Sequence, residues 1–218
     1  MARKPRQLSF PEPKTWGGKR RGAGRPRRAA RSLVPHLRRP KHDRRHPLHV
    51  TLRAHRGGLR NPGALEELKD AFKRLHVRRN DFRVLHYSLQ SNHLHLIVEA
   101  TDREKLSKAM QGLASALARV LNRALQRQGT VWEERYHAEQ LTTPRQVRNA
   151  LVYVLQNGYK HRVVREGLDW YSSAEWFDSW RSQLPVPDEE SPVALGTTWL
   201  ITVGWRRHGR LDFRERPR

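Results

Sequence analysis

Apolar residues recur along the central part of the chain, residues 47–162, with two periods that predict alternating strands and helices. Strict alternation or a short continuous apolar run is typical of a strand, whereas apolar residues three or four positions apart are typical of a helix. The strands predicted in this way cover residues 49–52, 82–89, 94–98 and 130–141.

Helices are predicted between these strands and after the last one. The first opens at Asn61-Pro62, and the second follows a capping-box pattern at residues 101–104 and stops before Gly129. The third begins at another capping box, residues 143–146, with proline at its first position, and is predicted to end at Gly158.

The resulting order of elements, β-α-β-β-α-β-α, predicts an α+β fold. Two split βαβ units in succession form a ferredoxin-like antiparallel sheet (βαββαβ) with helices on one face, and the last helix is a C-terminal addition. Because this fold hosts many unrelated activities, the function has to be inferred from particular residues.

Basic residues outnumber acidic ones, 44 Lys and Arg against 21 Asp and Glu, which gives a formal net charge of +23. An excess of this size indicates a polyanionic partner such as nucleic acid. It is concentrated in residues 1–46, which carry 16 basic and two acidic side chains. We expect this segment to be a disordered basic DNA-binding arm, followed by a domain over residues 47–162 and an aromatic-rich tail or flap over residues 163–218.

The arm contains a motif at residues 20–28 that resembles an AT-hook. Its Gly24-Arg25-Pro26 centre suits an extended backbone in a narrow minor groove, with arginine inserted. A generic basic tail that binds phosphates without sensing groove width is the alternative, and the sequence leaves both open. The residues predicted to contact DNA are Lys19, Arg20, Arg21, Arg25, Arg27 and Arg28 in the arm and Arg135 and Arg148 in the central region.

Composition excludes several classes of site. The chain has no cysteine, which rules out disulfides, cysteine-ligated zinc, iron–sulfur clusters and a thiol nucleophile. Mean hydropathy is −0.88, and no apolar run is long enough to cross a bilayer, so no membrane partner is expected. Since the first residues also lack the apolar region of a secretory signal, we expect a cytoplasmic protein.

Two histidines in the third predicted strand are the first candidates for chemistry. His93 and His95 are two positions apart, so their side chains share one face of a strand. A pair of neutral imidazoles in that arrangement can chelate a divalent cation. Because the chain has 12 histidines, such a spacing also arises by chance. A polar strand face without a ligand and a nucleic-acid-facing pair therefore stay open as alternatives.

Tyr153 and Asn157 in the last predicted helix are the second pair of candidates. They are four residues apart and share a face beside the apolar stripe of that helix. This position suits a hydroxyl held just outside the packed seam, with an amide oxygen one turn away for a metal. The spacing alone favours a plainer interpretation, a half-buried core tyrosine and an asparagine at the helix end.

Three segments taken together carry a more specific signal: residues 91–98 (SNHLHLIV), 131–137 (VWEERYH) and 150–157 (ALVYVLQN). They resemble, in order and in predicted element, the REP-associated tyrosine transposases of the HUH single-strand DNA transposase superfamily. The resemblance spans residues 46–180. One departure is Gly158, where members of the family often have proline after the asparagine, and both residues end helices.

The resemblance implies an enzyme that cleaves and rejoins single-stranded, hairpin-containing DNA such as REP-like palindromes. It implies that His93, His95 and Asn157 bind Mg²⁺ or Mn²⁺ and that Tyr153 is the nucleophile that forms a 5′-phosphotyrosine. His137 is an accessory candidate for proton transfer, with a structural or DNA-contacting role as the alternative. Such an enzyme would be bacterial and nucleoid-associated and would act as a monomer or homodimer. A domesticated, catalytically silent binder of structured DNA or RNA is the alternative function.

Aromatic residues support two further hypotheses. Trp132 and Tyr136 are candidates for stacking on bases, with burial in the core as the alternative. The aromatic tail is expected to pack back on the domain. That tail has either a structural role or a regulatory one, in which the acidic residues 188–190 occupy the DNA groove.

Overall fold

The computed structural model describes residues 40–185 and 187–217, and its elements follow the predicted order. The strands are β1 (Leu48–Arg53), β2 (Phe82–Leu89), β3 (His93–Ala100) and β4 (His137–Gln140). The helices are α1 (Pro62–Arg78), α2 (Arg103–Ala124), α3 (Pro144–Leu155) and two short turns, α4 (Asn157–Lys160) and α5 (Trp199–Thr202). The arm residues predicted to contact DNA, from Lys19 to Arg28, lie outside the described residues.

Within the described residues the strands form one sheet in the order β2-β3-β1-β4, and each neighbouring pair is antiparallel. This is the arrangement of two interleaved split βαβ units, so the predicted ferredoxin-like α+β class is confirmed. Register places Thr51 of β1 opposite His95 of β3 and opposite His137 of β4. Residues that are directly opposite each other project from the same face of a sheet.

The two faces of the sheet are covered by different parts of the chain. Val50, Leu96 and Val98 pack against α1 and α2 in one apolar cluster. On the other face, Leu85 and Ile97 pack against α3 and against aromatic residues of the C-terminal part of the chain. The helix predicted as a C-terminal addition therefore lies on the face opposite the first two helices.

The fourth strand is shorter than predicted, since only His137–Gln140 of the predicted residues 130–141 belong to it. The preceding segment makes one isolated bridge, between Trp132 and Ala54. The Trp132 indole Nε1 donates a hydrogen bond of 2.8 Å to the Ala114 carbonyl in α2. This contact holds the segment against the helix, and the ladder with β1 begins only after it.

Two helix boundaries also differ from the prediction. The N-cap of α2 is Asp102, one residue after the predicted Thr101, and its carboxylate accepts a hydrogen bond of 2.7 Å from the Lys105 amide. Helix α2 ends at Ala124, because Gln126 has a φ of 49° and cannot continue the helix. The capping box at Thr143 is present as predicted.

The C-terminal part of the chain packs on α3 through large apolar side chains. Phe177, Trp180 and Trp205 are buried there, together with Leu211. The indole groups of Trp180 and Trp205 each donate a hydrogen bond of 3.0 Å to a backbone carbonyl. Burying such rings contributes a few kcal/mol each, about 1.5–3 for a phenylalanine. Within the part of the chain that the structure describes, no helix has the length and apolarity needed to cross a membrane.

His86 makes the stability of this face sensitive to pH. It lies in β2, its Nδ1 is 3.3 Å from Ser173 Oγ, and burial lowers its pKa to about 4 from the usual 6.5. Between these values the unfolded chain binds a proton that the folded chain does not, so stability falls as the pH drops from 7 to 4. We expect His86 to contribute at most about 3 kcal/mol of that loss.

Urea unfolding of the wild type and of His86→Gln at pH 7 and pH 4.5 measures this contribution. The difference in unfolding free energy between the two pH values should be smaller in the variant, because glutamine does not titrate. An equal difference in both proteins would contradict the assignment to His86.

Candidate active site

The candidate residues meet on the face of the sheet that α3 covers. His93 and His95 of β3 project from this face, and so do Thr51 and His49 of β1, which lie opposite His95 and Ile97. Helix α3 packs against β2 and β3 on this face and brings Tyr153 beside His95 of β3 and His49 of β1. The site therefore combines residues from two adjacent strands and from the helix that covers this face.

The two imidazoles of β3 stand side by side, with their ring centroids 5.8 Å apart and their planes 13° from parallel. A polar neighbour holds the Nδ1 atom of each ring: Asn92 Oδ1 lies 2.7 Å from that of His93, and Thr51 Oγ1 lies 3.2 Å from that of His95. Such contacts fix ring orientation at metal sites and direct Nε2 toward the metal.

Burial keeps His95 in the form that a metal requires. Only 6% of the residue is exposed, and burial lowers its pKa well below the usual value, with smaller effects from neighbouring histidines and Lys160. A neutral imidazole is the ligating species, since protonation would occupy its lone pair.

Tyr153 lies beside the imidazoles, and its side chain is half-buried. Its ring centroid is 5.1 Å from that of His95, with the two planes at 88°. Lys160 Nζ lies 4.8 Å from the centroid of the same phenol ring. Burial raises the pKa of Tyr153, and the nearby Asn157 side chain opposes part of this shift. The phenol is therefore protonated at neutral pH and needs activation to act as a nucleophile.

Asn157 is fully buried, with 0% of its surface exposed. Within the described residues neither its amide oxygen nor its amide nitrogen has a hydrogen-bond partner in good geometry, although the side chain is close enough to Tyr153 to lower the pKa of that phenol. A buried amide whose hydrogen-bonding capacity is not filled by protein groups can accept a ligand at its oxygen. An amide oxygen and two imidazoles are donors of the kinds that divalent cations accept in proteins. The donor types of the three residues predicted to bind a metal therefore suit a divalent cation.

The sequence predicted Asn157 in the last turn of the helix that carries Tyr153, and this is wrong. Helix α3 ends at Leu155, and a new short turn, α4, begins at Asn157. Gly158 lies inside this turn and does not terminate a helix. A Cβ atom there would lie 2.5 Å from Asp169 Oδ2 and 2.6 Å from Val164 Cγ2. Glycine is needed at position 158 for this close approach.

His49 is a member of the site that the sequence analysis missed. Its ring centroid lies 5.5 Å from that of His95 and 5.6 Å from that of Tyr153, and its buried Nε2 has no partner among the described residues. Burial, with a smaller effect of His137, lowers its pKa to about 4. Its alternation with Thr51 was visible in the sequence, but only the pairing of β1 with β3 places it beside the His pair.

These imidazoles do not form a metal site by themselves. Across residues 40–185 and 187–217, no group of three or more His, Cys, Asp or Glu side chains converges on a position for an ion. A site at His93 and His95 would therefore depend on the amide oxygen of Asn157.

The remaining predicted residues lie at different distances from this site. His137 is exposed on β4, on the same sheet face. Arg148 is held by Glu215 through two hydrogen bonds of 2.7 and 2.8 Å. Arg135 is partly buried. Trp132 and Tyr136 belong to the apolar cluster with α1 and α2, which favours the core alternative for both.

The central part of the chain is similar to a known protein family. The IS200-like transposase family matches residues 45–157, just over half of the chain. A solved structure of a REP-associated tyrosine transposase bound to a REP hairpin is similar at 16% identity and a TM-score of 0.46, over 60% of this chain and 76% of that one. Among curated proteins, none matches the sequence. The family match covers the strand of the His pair and the helix of Tyr153 and ends at Asn157, and the chain therefore belongs to the IS200-like transposases.

Proposed function

We propose that this protein is a metal-dependent endonuclease and strand transferase that acts on single-stranded, hairpin-containing DNA. The observation that carries the proposal is the position of the Tyr153 ring, 5.1 Å from that of His95 and close to the buried amide of Asn157. Membership of a transposase family supports the same substrate class.

His93, His95 and Asn157 would hold the metal, through two Nε2 atoms and one amide oxygen. A bound Mg²⁺ or Mn²⁺ would supply positive charge to a non-bridging oxygen of the scissile phosphate. Thr51 and Asn92 keep the two imidazoles oriented for this role.

Tyr153 would attack the scissile phosphorus through its phenol oxygen. An oxygen–phosphorus bond forms, the bond to the 3′ oxygen breaks, the phenol loses its proton, and the leaving oxygen gains one. The products are a 5′-phosphotyrosine and a free 3′-hydroxyl. Because the ester conserves the energy of the broken linkage, another 3′-hydroxyl can attack it and rejoin the strand without ATP.

Lys160 is placed to support this step. Its ammonium group lies 4.8 Å from the centroid of the ring of the proposed nucleophile, where a positive charge favours the approach of a phosphate. The basic arm would add affinity for DNA that is independent of the cleavage site and sensitive to salt.

Metal-dependent formation of a covalent adduct tests the proposal. We expect the full chain, incubated with labelled single-stranded hairpin oligonucleotides and Mn²⁺, to yield a protein–DNA band that survives a denaturing gel. Excess EDTA should remove the band, because without the metal the phosphate charge is no longer neutralised.

His95→Ala should lose the adduct, whereas His55→Ala, which removes an exposed histidine two residues after β1, should retain it. Hairpin binding without any adduct across a broad oligonucleotide pool would instead indicate the silent binder.

A further inference from the structure

Two polar residues of β2 and of the turn after it lie next to the His pair. Ser88 is directly opposite His95 in the register of β2 and β3. Two residues further on, the Gln90 amide donates a hydrogen bond of 2.8 Å to the His93 carbonyl, so the same register brings Gln90 opposite His93. Opposite residues project from one face of a sheet, with Cβ atoms about 4.5–5.5 Å apart. Ser88 and Gln90 therefore flank the two histidines on the side of β2.

The side chain of Gln90 is buried, with 2% of the residue exposed. Its amide nitrogen donates a hydrogen bond of 2.7 Å to Ser88 Oγ, and Ser88 is itself inaccessible to solvent. Among the residues that the structure describes, none donates a hydrogen bond to Gln90 Oε1. A buried carbonyl oxygen in this condition is unfavourable unless something else binds it. The amide is thus held in place, and its oxygen is available to a ligand.

Asn157 reaches the His pair from the same side. Ser88 forms an isolated bridge with Ser172, whose hydroxyl donates a hydrogen bond of 3.0 Å to the carbonyl of Leu155, the last residue of α3. The short turn α4 begins two residues later, at Asn157. The ends of β2 and α3 therefore meet beside the histidines, and each brings a buried amide oxygen that lacks a protein donor in good geometry within the described residues.

The charged residues near these oxygens are already paired. Arg53 of β1 lies opposite His93 and forms an ion pair of 2.7 Å with Glu133. Arg60 donates a hydrogen bond of 3.2 Å to the carbonyl of Leu89 and is paired with the buried carboxylate of Asp169 at 2.9 Å. Both arginines are compensated by a carboxylate, so neither adds an uncompensated positive charge that would oppose a cation at the histidines.

The type of ligand follows from the donor atoms. An amide oxygen accepts hydrogen bonds and coordinates cations, whereas it repels the oxygens of a phosphate. Mg²⁺ and Mn²⁺ accept carbonyl oxygens together with imidazoles, and Mg²⁺ requires six donors in octahedral geometry. Two histidines and Asn157 supply three of six positions, so a fourth protein donor still leaves room for a substrate oxygen and for water.

We propose that Gln90 is a fourth protein ligand of the divalent cation, through Oε1. The inference rests on the proposed function for the presence of a cation at His93, His95 and Asn157. It adds a residue that lies outside the predicted metal-binding set, and it implies that one water fewer is bound to the metal than three protein ligands would leave.

Binding of Mn²⁺ alone to the full chain tests the assignment without any DNA or cleavage. Free Mn²⁺ is measured by electron paramagnetic resonance, and the water on bound Mn²⁺ by the relaxation of solvent protons. Gln90→Met keeps a side chain of similar length and removes the oxygen. We expect its Mn²⁺ dissociation constant to rise by at least about tenfold. The relaxation enhancement per bound ion should also rise, because water takes the vacant position.

Gln90→Glu separates a ligand from a merely structural residue. A carboxylate oxygen at the same place is a stronger donor to a cation, so this variant should bind Mn²⁺ at least as tightly as the wild type. A structural role predicts the opposite, since a buried charge would disturb the packing. Equal losses of Mn²⁺ affinity in Gln90→Glu and Gln90→Met would therefore overturn the proposal.

Two further variants locate the effect. Gln111→Met is the matched control, because it makes the same change at an exposed position of α2, on the other face of the sheet, and it should leave Mn²⁺ binding unchanged. His95→Ala should lose the bound Mn²⁺, which ties the measured ion to this site. If Gln90→Met binds Mn²⁺ with the affinity and hydration of the wild type, Gln90 is not a ligand.

The two proposals fail in distinguishable ways. If Mn²⁺ binding depends on Gln90 but no oligonucleotide forms an adduct, the ligand assignment stands and the nuclease does not. If metal-dependent adducts form while Gln90→Met leaves Mn²⁺ binding unchanged, the nuclease stands and the ligand assignment does not. A wild type that binds no Mn²⁺ at all would overturn both.

Discussion

Replacing Tyr153 with phenylalanine is expected to abolish the covalent protein–DNA adduct and to lower strand cleavage by at least about a thousandfold. The substitution removes only the phenol oxygen that would bond to phosphorus. It keeps the ring that packs against His49 and His95, with centroids 5.6 and 5.1 Å away. Single-turnover cleavage of a labelled hairpin oligonucleotide, followed on a denaturing gel, measures both effects.

Tyr159→Phe is the matched control for this experiment. It removes the hydroxyl of a nearby tyrosine, which donates a hydrogen bond of 2.6 Å to the Gly167 carbonyl. The adduct should persist in this variant, and hairpin affinity should be unchanged in Tyr153→Phe. An adduct that survives in Tyr153→Phe would show that another residue is the nucleophile.

Replacing Asp169 with alanine is expected to lower the free energy of unfolding by about 3–5 kcal/mol, the range for breaking a buried ion pair on one side. The carboxylate of Asp169 is inaccessible to solvent and is bound by both terminal nitrogens of Arg60, at 2.9 and 3.1 Å. Removing it leaves a guanidinium that is 15% exposed without its anion. Urea unfolding at pH 7 measures the loss.

The same substitution should also weaken the packing of α4, the short turn that carries Asn157. The carboxylate packs against Gly158, so it supports the turn that presents Asn157. Asp70→Ala is the control, because its partner Arg74 is 3.9 Å away and both side chains are more than half exposed. That change should cost less than about 1 kcal/mol. A similar small cost for Asp169→Ala would contradict the structural role given to this pair.

Much of the fold could be predicted because its signals are local. Asn61 and Thr143 cap their helices with their own side chains, as their sequence patterns indicate. The fourth strand was predicted too long because a distant contact, the indole of Trp132 on Ala114, decides where the ladder starts. A period-2 pattern contains no information about that contact.

The candidate site was predictable in part. Alternation along β3 was sufficient to place His93 and His95 on one face. Tyr153 became a candidate nucleophile through the family resemblance, whereas its spacing alone favoured a core residue. The side chain of Tyr153 is half-buried, which explains why its spacing was ambiguous. Its ring packs against the apolar cluster around α3 and also lines an open cavity.

The sequence by itself determined the order of elements, the basic charge, the exclusion of thiol chemistry and the common face of the two histidines. Each of these follows from composition or from residues a few positions apart. Only the tertiary structure placed His49 beside the His pair and paired Arg148 with Glu215. It also showed that Asn157 is buried and lies in a separate turn. Those features depend on contacts between distant parts of the chain, such as Thr51 with His95, 44 positions apart, and Arg148 with Glu215, 67 positions apart. Sheet order and chain packing create such contacts, and local periodicity does not encode them.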